Sequence, residues 1–360
     1  MNKKATDQTI YNCHIHLFTF DNVPRNFPVP GIGFIRSRPK LIRFIRRVVK
    51  FFGGHETADQ IERLARMAAE GRSATPERIF NNVAKQYPKG TKFVVLPMDI
   101  HSGGYGAPKQ DLEGQHDALW QLTQDGAYKD LLIPFAKVHP NNPNAMTELR
   151  RCVEDKGFKG VKLYPRLGYA PTDDLLRNEV YPYCIKHNLP VLSHCSRGGV
   201  FGRYHRGEVG QMLGSPQAFF PVAKEFPELR ICLAHFGGSQ EWDDYVRGIN
   251  PFDADARKNN WVTAIYDALK SGDYPNLYTD ISYTVFDFEE NMPFLSVFLE
   301  NEAVCKKVLF GSDYYMTKQE DLSERAVSMR LRNALGREKF WQIANANPKA
   351  WLEGPSKPKT

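Results

Sequence analysis

No apolar run among the 360 residues is long enough to cross a bilayer as a helix, which argues against a chain threaded through a membrane. No CxxC pair occurs among the six cysteines, and several of them sit in apolar, strand-like runs, so they are read as reduced, mostly buried thiols. No GxGxxG or P-loop spacing is present, which removes the usual support for an open nucleotide-binding sheet. The start, MNKKATDQTIYNCHIHLF, has basic residues but neither an adequate apolar core nor a small-residue cleavage site. A cytoplasmic location is therefore the expectation. There is no internal repeat and no low-complexity tract. A hydrophobic share of 42% and a charged share of 25% are those of a soluble globular protein.

The net charge of +7 is modest for this length and gives no reason to expect a nucleic-acid partner. The excess is local. Every charged residue from Arg36 to Lys50 is basic, while Leu41, Phe44, Ile45, Val48, Val49 and Phe52 recur at helical spacing. This Leu41–Phe52 pattern is an amphipathic helix with a basic outer face. It suits an anionic membrane surface, but surface helices that bury an apolar face on their own fold or on a second copy of the chain show the same pattern. The second reading is preferred, which leaves a homo-oligomer open.

Eight strand-like runs can be counted: 10–16, 93–99, 131–139, 158–164, 190–194, 230–235, 277–282 and 307–313. Helical periodicity fills most of the gaps between them, as in 145–155, 174–187, 216–226, 261–271, 293–301 and 319–335, and a final helix is expected at 338–352. Strands alternating with helices indicate a parallel sheet, and eight such units indicate a closed (β/α)8 TIM barrel. The whole chain, 1–360, is read as a single barrel domain. Its first strand-to-helix connection, 17–92, is abnormally long, holds the basic helix and a second pattern at 58–71, and is read as an inserted helical cap over the catalytic face. The connection after His194, SRGGVFGRYHRGEVGQMLGSP, is also long and rich in glycine.

Six residues with metal-ligating chemistry recur at the ends of these runs: His14, His16, Lys162, His194, His235 and Asp313. In a strand, residues two apart share a face, so His14 and His16 aim two imidazoles at one point. Barrel active sites are built from strand C-termini, so these residues converge despite their separation in sequence. Imidazole with carboxylate suits Zn2+, with Mn2+ or Fe2+ also compatible, as one or two ions. A cation there would bring the pKa of water toward neutrality and polarise a carbonyl, with Asp313 as general base. Lys162 has two readings. As an ammonium it pairs with a carboxylate or binds a substrate anion; as a carbamate it bridges two metals. Strict alternation turns Cys13 and Cys195 away from the site.

Other residues are weighed as substrate contacts. Tyr164 and Arg166 follow Lys162, and Arg197 lies in the glycine-rich connection with Arg203 and His205, where a guanidinium suits a carboxylate-bearing small molecule. His139 ends the third run and lines the pocket or acts as a structural histidine. Asp280 is either an orienter of a ligating histidine or a rim acceptor. His55, His101, His116 and His187 are expected at the surface or in loops.

The pattern His14-Ile15-His16, the Lys162 strand, His194, His235 and FGSD with Asp313 resembles the metal constellation of the amidohydrolase superfamily. Segments such as VHPNN, KGVKLYPRLGYAPTD, LAHFGG and LFGSD are similar to its amidohydrolase-2 branch, and the likeness runs from Asn12 to about Asn347. It implies a (β/α)8 barrel and a metal-dependent hydrolase acting on an amide, ester or lactone, or a non-oxidative decarboxylase of an aromatic or enoic acid. It further implies His14, His16 and Asp313 on one metal, with Asp313 also the base, and His194 and His235 on a second. KLYP is similar to the dihydroorotase segment whose lysine is carboxylated, which implies a binuclear site. Leu17 and Phe18 stand where dihydroorotase carries a substrate-binding arginine, so that activity is not expected. In the decarboxylases the histidine at the position of His235 is catalytic on a single metal.

Overall fold

The computed structural model describes residues 9–27, 75–248, 259–284, 288–314, 316 and 323–354. The Leu41–Phe52 and 58–71 segments of the expected insertion lie outside the described residues.

Among the described residues, nine short parallel strands make the wall: β1 (Tyr11–Ile15), β2 (Lys92–Val95), β3 (Leu132–Pro134), β4 (Ala136–Lys137), β5 (Val161–Leu163), β6 (Val191–Ser193), β7 (Ile231–Leu233), β8 (Leu277–Asp280) and β9 (Val308–Leu309). All eight expected runs are represented. The third is divided, because β3 pairs with β2 whereas β4 pairs with β5. The change of partner falls at Phe135, whose N–H donates back to Val95 at 3.1 Å, while Ala136 N–H donates forward to Gly160 at 2.9 Å. One stave thus serves two neighbours in turn. The ring closes where Cys13 N–H donates to Phe310 and Asp313 N–H donates to His14, both at 2.8 Å. The result is the (β/α)8 TIM barrel.

Residues from all round the wall, among them Tyr11, Cys13, Val94, Phe135, Leu192 and Cys232, meet in one buried cluster, which only the inside of a closed barrel allows. Trp351 completes it. Its ring lies 5.5 Å from that of Phe135, and its carbonyl accepts from Arg230 Nε at 2.6 Å just below β7. Phe135 fits because position 160 is glycine; a Cβ there would stand 2.4 Å from the ring. The outer faces of the strands pack on the helices through Ile15, Val95, Val161 and Leu233.

Strict alternation fails in β1. Its register against β2 shifts between Asn12 and Ile15, so Cys13 and His14 lie on the same, interior, side. Cys13 therefore lies beneath the site instead of turning away from it, whereas Cys195 belongs to the layer outside the barrel. Among the helices, Trp261–Ser271 matches its expected bounds. Asn260 caps it by accepting Thr263 N–H at 2.9 Å, and Gly272 ends it in the left-handed region. Pro76–Ala84, within the expected insertion, and Gly207–Leu213, in the glycine-rich connection, are helices that periodicity did not indicate. Among the described residues, no helix is long and apolar enough to cross a membrane.

Candidate metal centre

The candidate site residues sit at or just beyond the strand ends. His14 lies in β1 and His16 follows it, Lys162 lies in β5, His194 follows β6, His235 follows β7, Asp280 ends β8 and Asp313 lies beyond β9. All are at most 6% exposed. Two adopt backbone conformations that L-residues rarely take: φ is +68° at His235 and +63° at Asp313. The N–H of Asp313 to His14 O, at 2.8 Å, fixes the second of these.

Each imidazole is gripped by its outer nitrogen. His14 Nδ1 donates to Asp280 Oδ2 at 2.9 Å, and His16 Nδ1 donates to the Leu96 carbonyl at 2.7 Å. His194 Nε2 donates to the Gly198 carbonyl at 3.0 Å. His235 Nδ1 lies 2.9 Å from Ser282 Oγ and 3.2 Å from the Ser282 carbonyl. These partners are acceptors, or in the case of the Ser282 hydroxyl are committed as donors to Asp280, so the outer nitrogens carry the protons. The inner nitrogens are left as bare lone pairs. His194 Nδ1 and His235 Nε2 then face each other across 3.1 Å. Two lone pairs that close repel unless a cation or a proton lies between them.

His14 Nε2 and Asp313 Oδ1 are both buried without a hydrogen-bond partner, 3.6 Å apart, and His16 Nε2 lies 3.1 Å from the same oxygen. Their ligand atoms bracket a single point. Bare imidazole nitrogens and an orphaned carboxylate oxygen, oriented by a shell of acceptors, fit a divalent cation. Asp280 completes the shell instead of facing that point. One of its oxygens takes His14; the other accepts the N–H groups of His235 and Ser282, each at 3.0 Å, and the Ser282 hydroxyl.

Burial holds the ring of His14 neutral, with its pKa down to about 4, and lowers His194 and His235 as well. Burial alone would raise Asp313, but the His16, His14 and His235 rings outweigh it and keep the carboxyl below its ordinary value. Burial lowers Lys162 to about 8, against the pull of Asp280 and Asp313. Its ammonium stands 5.9 Å from the Tyr164 ring centre.

The expected substrate contacts are placed as follows. Tyr164 stacks on His194 at 4.1 Å between ring centres, and its hydroxyl accepts Val200 N–H at 2.8 Å. Arg166 is buried and donates to the carbonyls of Ser196 and Gly198. Arg197 is spread over Glu241, Gln211 at 2.8 Å and the Asn259 carbonyl at 3.3 Å, and its guanidinium covers Trp261. His139 is buried against Tyr169, 4.6 Å between ring centres. His205 lies against Gly168, where a Cβ would meet its ring.

His116 departs from expectation. It is fully buried, donates to Glu148 at 2.7 Å and accepts the Lys137 N–H at 3.1 Å, as a support behind β4. Sequence reasoning also missed Ser282 and Lys137. Each sits two residues from a residue that had been weighed, Asp280 and His139, and alternation would have put both pairs on one face.

A family model described as Amidohydrolase matches residues 11–353. None of the curated proteins matches the chain. Among solved structures, a probable 2-pyrone-4,6-dicarboxylic acid hydrolase from Acinetobacter baumannii with bound citric acid is 13% identical, with a TM-score of 0.55 over 96% of this chain and 99% of that one. A 5-carboxyvanillate decarboxylase from Novosphingobium aromaticivorans with bound manganese is 15% identical, with a TM-score of 0.52 over 98% and 99%. A 4-oxalomesaconate hydratase from Rhodopseudomonas palustris is 15% identical, with a TM-score of 0.51 over 96% and 95%. At these identities the shared property is the fold.

Proposed function

The chain belongs to the amidohydrolase family, and from that premise we propose that it is a metal-dependent hydrolase acting on an amide, ester or lactone carbonyl of a small molecule. The observation that carries this reading is the bare inner nitrogens of His14 and His16 beside the orphaned Asp313 oxygen, with those of His194 and His235 facing each other next to them. His14, His16 and Asp313 would hold the cation, with Zn2+, Mn2+ and Fe2+ all suited to such donors. A bound cation supplies Lewis acidity, polarising the carbonyl and bringing water toward ionisation near neutral pH. Asp313, kept ionised by the surrounding rings, takes the proton from the attacking water and passes it to the leaving group. Lys162 and Tyr164 line the wall beside the reacting carbonyl and orient it. Relatives of the same fold bound to citrate and to a substituted nitrobenzoic acid support a small carboxylate-bearing substrate.

Decarboxylation is the second reading. It is supported by the decarboxylase relative of the same fold and requires Lys162 as an ammonium, which would leave no anionic bridge between two cations and free His235 to act as a proton donor. The test is turnover by the metal-loaded enzyme in 18O-labelled water, across panels of lactones, esters, amides and aromatic acids. Label in the product, lost with Asp313→Asn, is the expected result. Carbon dioxide release without label would replace hydrolysis by decarboxylation. Full activity in Asp313→Asn would remove the base assignment.

A further inference from the structure

Lys137 lies in β4, in register with Lys162 of β5 on the interior face. It is 2% exposed. Its Nζ donates to the Val138 carbonyl at 2.7 Å and stands 5.7 Å from the Tyr169 ring centre. Among the described residues it forms no ion pair. The charged groups that act on it are Asp99, which attracts it, and Lys162, which repels it. Asp99 stands beyond ion-pair distance, its two oxygens held by the Ser102 N–H at 3.1 Å and the Ser102 hydroxyl at 2.5 Å. A buried ammonium beside a second ammonium is costly without a counter-ion, and a methionine would fill the same space without that cost.

A second donor flanks the same tyrosine. Asn141 N–H donates to His139 Nδ1 at 3.2 Å, which puts the His139 proton on Nε2. That Nε2 is buried and has no hydrogen-bond partner; the Leu167 carbonyl acts on it without completing one. The Tyr169 ring, 4.6 Å from that of His139, brings the two donors to one wall. Their backbone is held from behind. Where the stave changes partners, the Lys137 N–H donates to His116, which Glu148 and Arg151 fix in turn.

We propose that Lys137 Nζ and His139 Nε2 form a carboxylate-binding subsite beside the metal centre, so that the substrate carries an anionic group remote from the reacting carbonyl. This rests on the reading of the barrel mouth as the active site. The direct ion-pair partner of Lys137 is then the substrate itself, with charge-assisted hydrogen bonds to its carboxylate joining or replacing the bond to the Val138 carbonyl.

The probe is tricarballylate, titrated calorimetrically at pH 7 into zinc-loaded and into metal-free protein, with its trimethyl ester as the uncharged control. Wild type is expected to bind the anion in both forms and the ester in neither. Lys137→Met is expected to weaken binding at least tenfold and His139→Gln at least threefold, with bound zinc per chain unchanged. Binding by Lys137→Met within twofold of wild type overturns the subsite. Binding that vanishes with the zinc also overturns it, because the anion then sits on the cation, while the metal reading stands. A protein that holds no zinc but still needs Lys137 for the anion would overturn the metal reading alone. If Lys137→Met does not fold, His139→Gln decides, and anion binding by it within 1.5-fold of wild type overturns the subsite.

Discussion

Asp280 Oδ2 accepts the His14 Nδ1 proton at 2.9 Å while its other oxygen takes the His235 N–H at 3.0 Å, so one carboxylate on β8 braces two candidate ligands carried by the flanking stretches of the wall. Burial disfavours the charge on Asp280, but the His14 and His235 contacts outweigh it and hold the carboxyl well below its ordinary range. In Asp280→Asn the amide could still accept from His14 but would turn its NH2 toward one of these donors. Zinc affinity should fall about 10–100-fold with the far-ultraviolet circular dichroism unchanged. Unaltered affinity by competition with a chromogenic chelator would reduce Asp280 to a strut.

Acid should destabilise the metal-free protein well before its carboxylates titrate. Burial holds His14 at about 4 and His139 at about 3, against 6.5 in an unfolded chain, and it lowers His194 and His235 too. Between about pH 6.5 and 4 the unfolded chain therefore binds protons that the folded chain refuses, and stability drops as pH falls. Thermal melts in chelator should show Tm lower by at least about 3 °C at pH 5 than at pH 7. A flat profile over that window would contradict the neutral histidines.

Gly199 has φ +87°, and a Cβ there would stand 2.3 Å from Tyr164 Oη and 2.9 Å from the His194 ring. Gly199→Ala should push the 196–200 connection off the site, release the Gly198 carbonyl from His194 and cost about 1–3 kcal/mol. Gly157→Ala is the control, with a similar φ of +70° and open space around it. If the two variants melt together and retain equal zinc affinity, the clamp on His194 is not made by this glycine.

Lys162→Met tests the lysine directly. With an ammonium at this position, elemental analysis should give about one cation per chain in both wild type and variant, and the variant should lose at least about tenfold in kcat/KM. Two cations in wild type falling to one in Lys162→Met would establish a carboxylated, bridging lysine.

Much of this molecule was legible along the chain. Eight apolar runs separated by helical periodicity are enough to specify the barrel, because parallel strands can be joined only through crossovers. His14, His16, His194, His235 and Asp313 could be picked out as candidates that come together because strand C-termini share one mouth. What alternation could not reveal was a register shift in β1, which turns Cys13 inward beside His14, since a bulge is settled by the neighbouring strand and not by local preference. The division of the third run at Phe135 has the same origin, as it follows from which edge each neighbour offers. The burial of His116 and, among the described residues, the lack of an ion pair at Lys137 were likewise decided only in three dimensions. A side chain's charge is written in the sequence, but whether that charge is solvated, paired or left waiting for a ligand depends on what the fold packs against it.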